Sequence, residues 1–234
     1  TLSEYLGYVK SYHPIVKQAN LKNPIGTAYS FSEMMLVDSD NYTPDKLEKH
    51  LEIVKESSQY AISLLNRFAT FQTIKASNCS YNFELINYID ILTKIVENFN
   101  RQQQNNSTIL INTTPKELFK LNIDAEKITL ILQQIIENAI RFSSEYSIII
   151  IDVKINNNYL ETTITDTGIG ISENDLKSVF KDFFVVNTYD PYKKKCIGLG
   201  LSMAQKIIHK HNGIVSINSN LGKGTTVKMS LPMH

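Results

Sequence analysis

Tryptophan is absent from these 234 residues, and cysteine occurs only at Cys79 and Cys196. Two cysteines so far apart, in no paired motif, fit a reduced compartment better than a disulfide framework. No run of 18 apolar residues exists. The richest stretch, Ile148 to Ile151, is strand-sized, so no membrane-spanning helix is expected. A secretory leader pattern is missing as well. Charge of one sign is also lacking: 24 basic residues face 23 acidic ones, with no long basic block, which argues against a nucleic-acid partner. What remains is a hydrophobic content of 42%, enough for the packed core of one large domain or two small ones.

Glycine is scarce, nine residues, yet six of the nine fall in three close pairs: Gly168 and Gly170, Gly198 and Gly200, Gly222 and Gly224. The first pair follows Leu160 to Thr165, whose alternation reads as a strand. Asp166 stands at the end of that strand. A short carboxylate there can accept a hydrogen bond from an exocyclic amine such as that of adenine. Gly168 and Gly170 let the backbone take positive φ and approach a flat base closely. The second pair precedes Leu201 to Ile208, a helical pattern whose free N–H groups can meet phosphates. Upstream, Asn138 lies on an apolar helical pattern, on the face away from Ile135 and Ile136.

In this order and spacing the chain resembles the bacterial sensor histidine kinases, within the wider superfamily that holds gyrase, Hsp90 and MutL-type ATPases. Asn138 matches the N box, Asp166 to Gly170 the first glycine box, and Gly198-Leu199-Gly200-Leu201 the second. Gly222-Lys223-Gly224-Thr225-Thr226 matches the last glycine-threonine element, and Phe180 with Phe183 or Phe184 the phenylalanine box. The resemblance implies ATP and Mg²⁺ as ligands. Asp166, Gly168, Gly170, Gly198, Leu199, Gly200, Leu201 and Thr225 would then line a nucleotide pocket. Asn138 would coordinate Mg²⁺ through its carbonyl oxygen, and Arg141 would stand near the phosphates. Residues 181 to 197 would form a lid in which Lys193, Lys194 and above all Lys195 clamp the phosphates. The same resemblance implies a homodimer and a response regulator receiver domain as partners. It also implies a cytoplasmic location, with membrane attachment only through segments outside this chain.

The spacing predicts an α+β protein of two domains. Residues 44 to 76 form the clearest helix, with Thr43 as cap and Pro44 and Asp45 in its first turn. Leu47, Leu51, Val54, Ser58, Ala61, Leu65 and Phe68 alternate steps of four and three, the seam of a bundle. Its partner is the segment from about Pro14 to Val37, kinked at Pro24 and joined by the polar turn Asp38 to Asn41. Two helices enclose a core poorly, so residues 14–76 are expected to pair with a second copy as a four-helix bundle. Residues 1–13 read as a helical lead-in. Residues 81–234 read as an α/β sandwich of the histidine kinase and Hsp90-like type. Its helices are expected at Leu85–Phe99 and Asp124–Ser143. Strands are expected at 107–112, 147–155, 159–165, 213–219 and 225–231, with Asn156 to Asn158 as a hairpin turn.

Two departures from the family pattern matter for function. Aligned on Pro24, the phosphoacceptor box reads Ala19-Asn20-Leu21-Lys22-Asn23-Pro24. Asn23 and Pro24 fit. Ala19 replaces the nucleophilic histidine and Asn20 the acidic residue beside it, and an alanine has no lone pair to attack a phosphorus. Neither His13 nor His50 shares the Ala19 position, and His209 and His211 read as helix C-cap residues. Second, Gln134 stands four residues before Asn138, where gyrase-like relatives have a glutamate, and an amide cannot act as general base for hydrolysis. Cys196 replaces an earlier glycine of the second box. The expectation is therefore a kinase core with its ATP pocket intact and no self-phosphorylation at the usual site. The alternatives are a non-catalytic pseudokinase acting through an ATP-responsive dimer, and a phosphatase or partner-binding bundle that uses Asn23.

Overall fold

The structure, a computed structural model, describes residues 21–38, 41–102, 106–113, 119–186 and 197–233. The chain divides into two compact units, Thr1–Thr73 and Ile74–His234. The expected lead-in at 1–13, Pro14, His13, Ala19 and Asn20 lie outside the described residues, as do Cys196 and Lys193 to Lys195.

In the first unit, helix α1 (Lys22–Val37) and helix α2 (Pro44–Lys75) form the hairpin. The expected Thr43 cap is made: its Oγ1 accepts the Lys46 N–H at 3.3 Å, which satisfies one of the donors left open by a helix start. Pro24 falls in the first described turn of α1 and is buried. At the tip, Asn41 Nδ2 donates to Asp38 Oδ1 at 2.7 Å. The Tyr42 hydroxyl meets His50 Nδ1 at 2.8 Å, and Phe31 stands edge-on to the His50 ring, centroids 4.8 Å apart.

The second unit runs β1 (Glu84–Asn87), α3 (Tyr88–Gln102), β2 (Thr108–Thr113), β3 (Lys120–Ile123), α4 (Ala125–Phe142), β4 (Ile148–Asn156), β5 (Tyr159–Thr165), α5 (Glu173–Leu176), α6 (Gly200–Lys210), β6 (Ile214–Asn220) and β7 (Gly224–Pro232). Five strands make one sheet in the order β2-β4-β5-β7-β6, antiparallel except for the β2–β4 pair. β1 and β3 pair separately as an antiparallel ribbon. The helix expected at Leu85–Phe99 therefore begins three residues later, because Leu85 and Ile86 are paired with Asn122 and Leu121 in that ribbon. Asp124 and Ser143 are the caps of α4 rather than helical residues.

One face of the sheet carries the core. Ile149, Ile151 and Val153 of β4 and Leu160 and Ile164 of β5 are buried on it. They are joined by Val227, Met229 and Leu231 of β7. Helix α4 lies between α3 and α6 and contributes Ile128, Leu132, Ile135, Ile136 and Ile140, the stripe its spacing predicts. The β4–β5 hairpin closes through Asn157 and Asn158, both at positive φ (48° and 64°), the backbone a tight two-residue turn requires. At the sheet's β2 edge, the Asn100 side chain accepts the Ile109 N–H at 3.0 Å and donates to the Ile109 carbonyl at 3.1 Å.

A buried imidazole ties the end of α6 to the start of α4. His211 Nε2 accepts the Asp124 N–H at 3.0 Å. Its Nδ1 therefore carries the proton and donates to the Ile207 carbonyl at 2.8 Å. The rings of Tyr81 and Phe83 pack against it. Burial lowers the His211 pKa, an effect Lys127 reinforces and the Ile207 carbonyl and Asp124 only partly oppose. The folded protein thus holds His211 neutral at a pH where the unfolded chain protonates it. Unfolding then takes up a proton, so stability falls as pH drops through the unfolded histidine pKa near ~6.5. Melting temperatures measured between pH 7.5 and 5 should fall, and His211→Gln should flatten that slope; equal slopes in both proteins would rule this out.

Candidate nucleotide site

The site lies at one end of the sheet's inner face, where β5 ends and β7 begins. Asp166 N donates to the Thr225 carbonyl at 2.9 Å, and the Asp166 side chain then turns back on the loop. Its Oδ1 accepts two backbone N–H groups, from Gly168 at 2.9 Å and Thr225 at 3.1 Å. Only 8% of Asp166 is exposed. Burial pushes its carboxyl pKa up, and the two N–H bonds only partly offset this. Both bonds fall on one oxygen, so the other has no hydrogen-bond partner among the described residues. That is the arrangement of an acceptor held ready for an external donor.

The glycines account for how closely the segments approach. A Cβ on Gly168 would run into the Phe142 carbonyl at the end of α4, and Ile169 N donates to that same oxygen at 3.1 Å. Gly170 has φ +67° and faces the Asn220 carbonyl at the end of β6. Gly224, at φ +96°, lies against the Asp166 carbonyl. Each is a position where backbone meets backbone with no room for a side chain.

A second cluster stands at the N-terminus of α6. A Cβ on Gly200 would lie 3.4 Å from Gln134 Oε1 and 3.6 Å from Asn138 Nδ2, so the helix start abuts the polar face of α4. The Asn138 side chain is half-buried and makes no hydrogen bond among the described residues, which leaves its amide oxygen available. Gln134 donates to Glu137 Oε2 at 3.3 Å. Arg141 is half-buried one turn further on. Leu199 is buried and Leu201 half-buried, so the second glycine turn offers chiefly backbone. Gly198, at φ +73°, packs on the Phe184 carbonyl and so joins the turn to the phenylalanine segment. Asp182 of that segment meets Lys206 Nζ at 2.6 Å. Burial alone would raise the Asp182 carboxyl, and the Lys206 ammonium, with the Ser202 hydroxyl and Lys75, outweighs it and holds it below the usual range.

The structure thus brings Asp166, Gly168, Gly170 and Thr225 together at the strand ends. It brings Asn138, Gln134 and Gly200 together at the α4–α6 junction. Asn23 sits exposed in the first turn of α1, in the other unit. Lys195 is outside the described residues, and of the expected lid only 181–186 and 197 are described. Sequence reasoning missed Ser219. This buried residue of β6 accepts the Ile171 N–H at 2.8 Å, donates to the Gly224 carbonyl at 2.8 Å and lies 2.9 Å from Thr225 Oγ1. A serine alternating in a strand carries no local signal of such a role. The available signal was its place directly opposite Thr225 across the β6–β7 hairpin.

Residues 123–234 match the family described as histidine kinase-, DNA gyrase B-, and HSP90-like ATPase. The match takes in just under half of the chain. Over most of its length the chain also resembles longer proteins. Sensor histidine kinase WalK of Bacillus subtilis is 28% identical over 214 residues, 91% of this chain and 35% of WalK. Sensor protein SrrB of Staphylococcus aureus is 29% identical over 213 residues, 91% of this chain and 36% of SrrB. The chain thus spans about a third of the length of these curated relatives. Among solved structures, histidine kinase ThkA in complex with response regulator protein TrrA superposes with a TM-score of 0.75 at 19% identity. That match covers 99% of this chain and 64% of that one. Acinetobacter baumannii histidine kinase AdeS gives 0.68 at 20% identity, over 92% of this chain and 97% of its own. The chain shares its fold with these histidine kinases. No helix among the described residues is long and apolar enough to cross a membrane.

Proposed function

We propose that this chain is the dimeric core of a two-component sensor histidine kinase, one that binds ATP and Mg²⁺ while lacking the acceptor for self-phosphorylation at its usual position, Ala19. The observation that carries the nucleotide reading is Asp166: a buried carboxylate with one oxygen fixed by two backbone N–H groups and the other open. An adenine amine is the donor such a group fits. Gly168 and Gly170 let the loop that carries it pack directly on the Phe142 and Asn220 carbonyls, which holds the carboxylate in place, and the N–H groups of Gly200 and Leu201 at the start of α6 receive phosphates.

Mg²⁺ fits the polar face of α4. Among the described residues no cluster of three or more histidine, cysteine or carboxylate groups could hold a metal by itself. A hard cation would then be held by the Asn138 carbonyl together with nucleotide phosphates, the arrangement Mg²⁺ favours. When bound, the ion would neutralise charge on the phosphates. Arg141 and Lys195 add positive charge on the protein side, and the amide of Gln134 disfavours water activation, so transfer rather than hydrolysis is the reaction of this site.

Residues 14–76 serve as the dimerisation hairpin and residues 81–234 as the catalytic domain, with 1–13 leading in. Exposure of Leu47, Leu51 and Ile62 on α2 supports pairing with a second copy. The partner is the receiver domain of a response regulator, by analogy with ThkA, which is seen with TrrA. The double change at Ala19 and Asn20 also favours a second reading, a pseudokinase whose nucleotide shifts the population of two dimer states. Incubation with γ-labelled ATP and Mg²⁺ separates the two. Label on an Ala19→His, Asn20→Asp variant alone means a working kinase domain without its acceptor. Label on neither, with ATP binding retained, means the pseudokinase. Acid-labile label on the unaltered chain would overturn the assignment of Ala19 as the empty acceptor position.

A further inference from the structure

Ser219 is placed where it fixes the direction of a proton. It is 7% exposed on the inner face of β6, opposite Thr225 of β7. A hydroxyl has one proton and two lone pairs, and each of the three contacts of Ser219 Oγ has a determined sense. The Gly224 carbonyl, 2.8 Å away, can only accept, so the serine proton goes there. The Ile171 N–H, 2.8 Å away, can only donate, so it takes one lone pair. The remaining contact is Thr225 Oγ1 at 2.9 Å. Ser219 has no proton left for it, so Thr225 must donate. The threonine hydroxyl therefore has its proton committed inward, and its lone pairs alone face outward.

Thr225 is also the residue whose backbone N–H binds Asp166 Oδ1 at 3.1 Å, so both side chains stand at the same end of the inner face. The Asp166 carboxylate is an acceptor. With Thr225 fixed as a second acceptor, that end of the site presents acceptors only.

We infer that Ser219 is a specificity-determining positioning residue: by holding the Thr225 proton it makes the site select a purine carrying a 6-amino group over one carrying a 6-oxo group. The inference rests on the adenine-nucleotide reading above and deepens it. A 6-amino group brings N–H donors to the two acceptors. A 6-oxo group brings an oxygen that neither can bind. Without Ser219 the Thr225 hydroxyl is free to rotate and donate, and the 6-oxo purine regains a partner.

The test uses the 234-residue chain and two probes that differ at that one position, ATP and ITP, with affinities measured by calorimetry at fixed Mg²⁺. The unaltered chain should prefer ATP. Ser219→Ala should narrow the ATP to ITP preference about tenfold, the scale of one buried hydrogen bond made or lost. Asp166 should keep some preference in place. Thr225→Val should narrow the preference too, and adding Ser219→Ala to Thr225→Val should change the ratio no further, because the serine acts only through the threonine hydroxyl. Equal weakening of both nucleotides in Ser219→Ala, with the ratio unchanged, overturns the inference and leaves the adenine reading standing. If Ser219→Ala does not fold, an unchanged ratio in Thr225→Val overturns it equally. An unaltered chain that binds neither nucleotide overturns the adenine reading and this inference together.

Discussion

Asp166→Asn should abolish measurable ATP binding while leaving the fold in place. The substitution keeps an oxygen that can still accept the Gly168 and Thr225 N–H groups, so the turn retains its two hydrogen bonds. What changes is the second position of the side chain, where an N–H₂ replaces an oxygen. A purine amine approaching there meets a donor instead of an acceptor. The charge-assisted bond is lost, and a buried donor is left opposed to another donor. Together these cost about 3–5 kcal/mol, on the order of 100-fold or more in affinity. Calorimetry should show no heat of ATP binding at concentrations that saturate the unaltered chain, with far-ultraviolet circular dichroism unchanged. Thermal stability should hold or rise slightly, because the ionised carboxyl is disfavoured by its burial. Retention of tight ATP binding would remove Asp166 from the base-recognition role.

The second large effect is on folding. Gly224→Ala should destabilise the second unit by about 3 kcal/mol or more, from a strained backbone and an unavoidable overlap. Gly224 has φ +96°, and an added Cβ would run into the backbone carbonyl of Asp166, which cannot swing aside as a side-chain end can. Moving that carbonyl disturbs the bonds that join β5 to β7 at the site. Gly222→Ala is the control. Its φ of +76° is also positive, yet a Cβ there meets nothing within 4 Å, so only the backbone strain of about 1 kcal/mol applies. For a domain of this size the first change should lower the melting temperature by roughly 6–12 °C and the second by roughly 2–4 °C. Equal effects would mean that the close approach to Asp166 carries no cost.

The parts of the site legible in the sequence were those enforced by backbone geometry. Asp166 followed an alternating strand, and each glycine pair holds at least one position, Gly168, Gly170, Gly198 or Gly224, where chain segments meet without room for a Cβ. Such requirements restrict residue type directly, so they leave a written trace. The long elements were legible for a similar reason: the stripe of α4 repeats over several turns, and β5 alternates over its whole length. The short ribbon was not. β1 has four residues, and Leu85 with Ile86 fits the first turn of a helix as readily as a short strand. The parallel pairing of β2 with β4 is set by a register across about forty residues, from Thr108 to Ile148, and has no local signature. Ser219 escaped because its effect lies in which atom holds a proton, a property of three partners brought together only by the fold.

The side-chain amide of Asn100 has a consequence for how this protein can meet others. By occupying both backbone groups of Ile109, it acts as a one-residue strand laid along the margin of the sheet. A strand from another molecule, seeking to extend the sheet there, would first have to evict that amide. Association at this margin by strand addition, whether with a regulator or as the first step of aggregation, is therefore opposed.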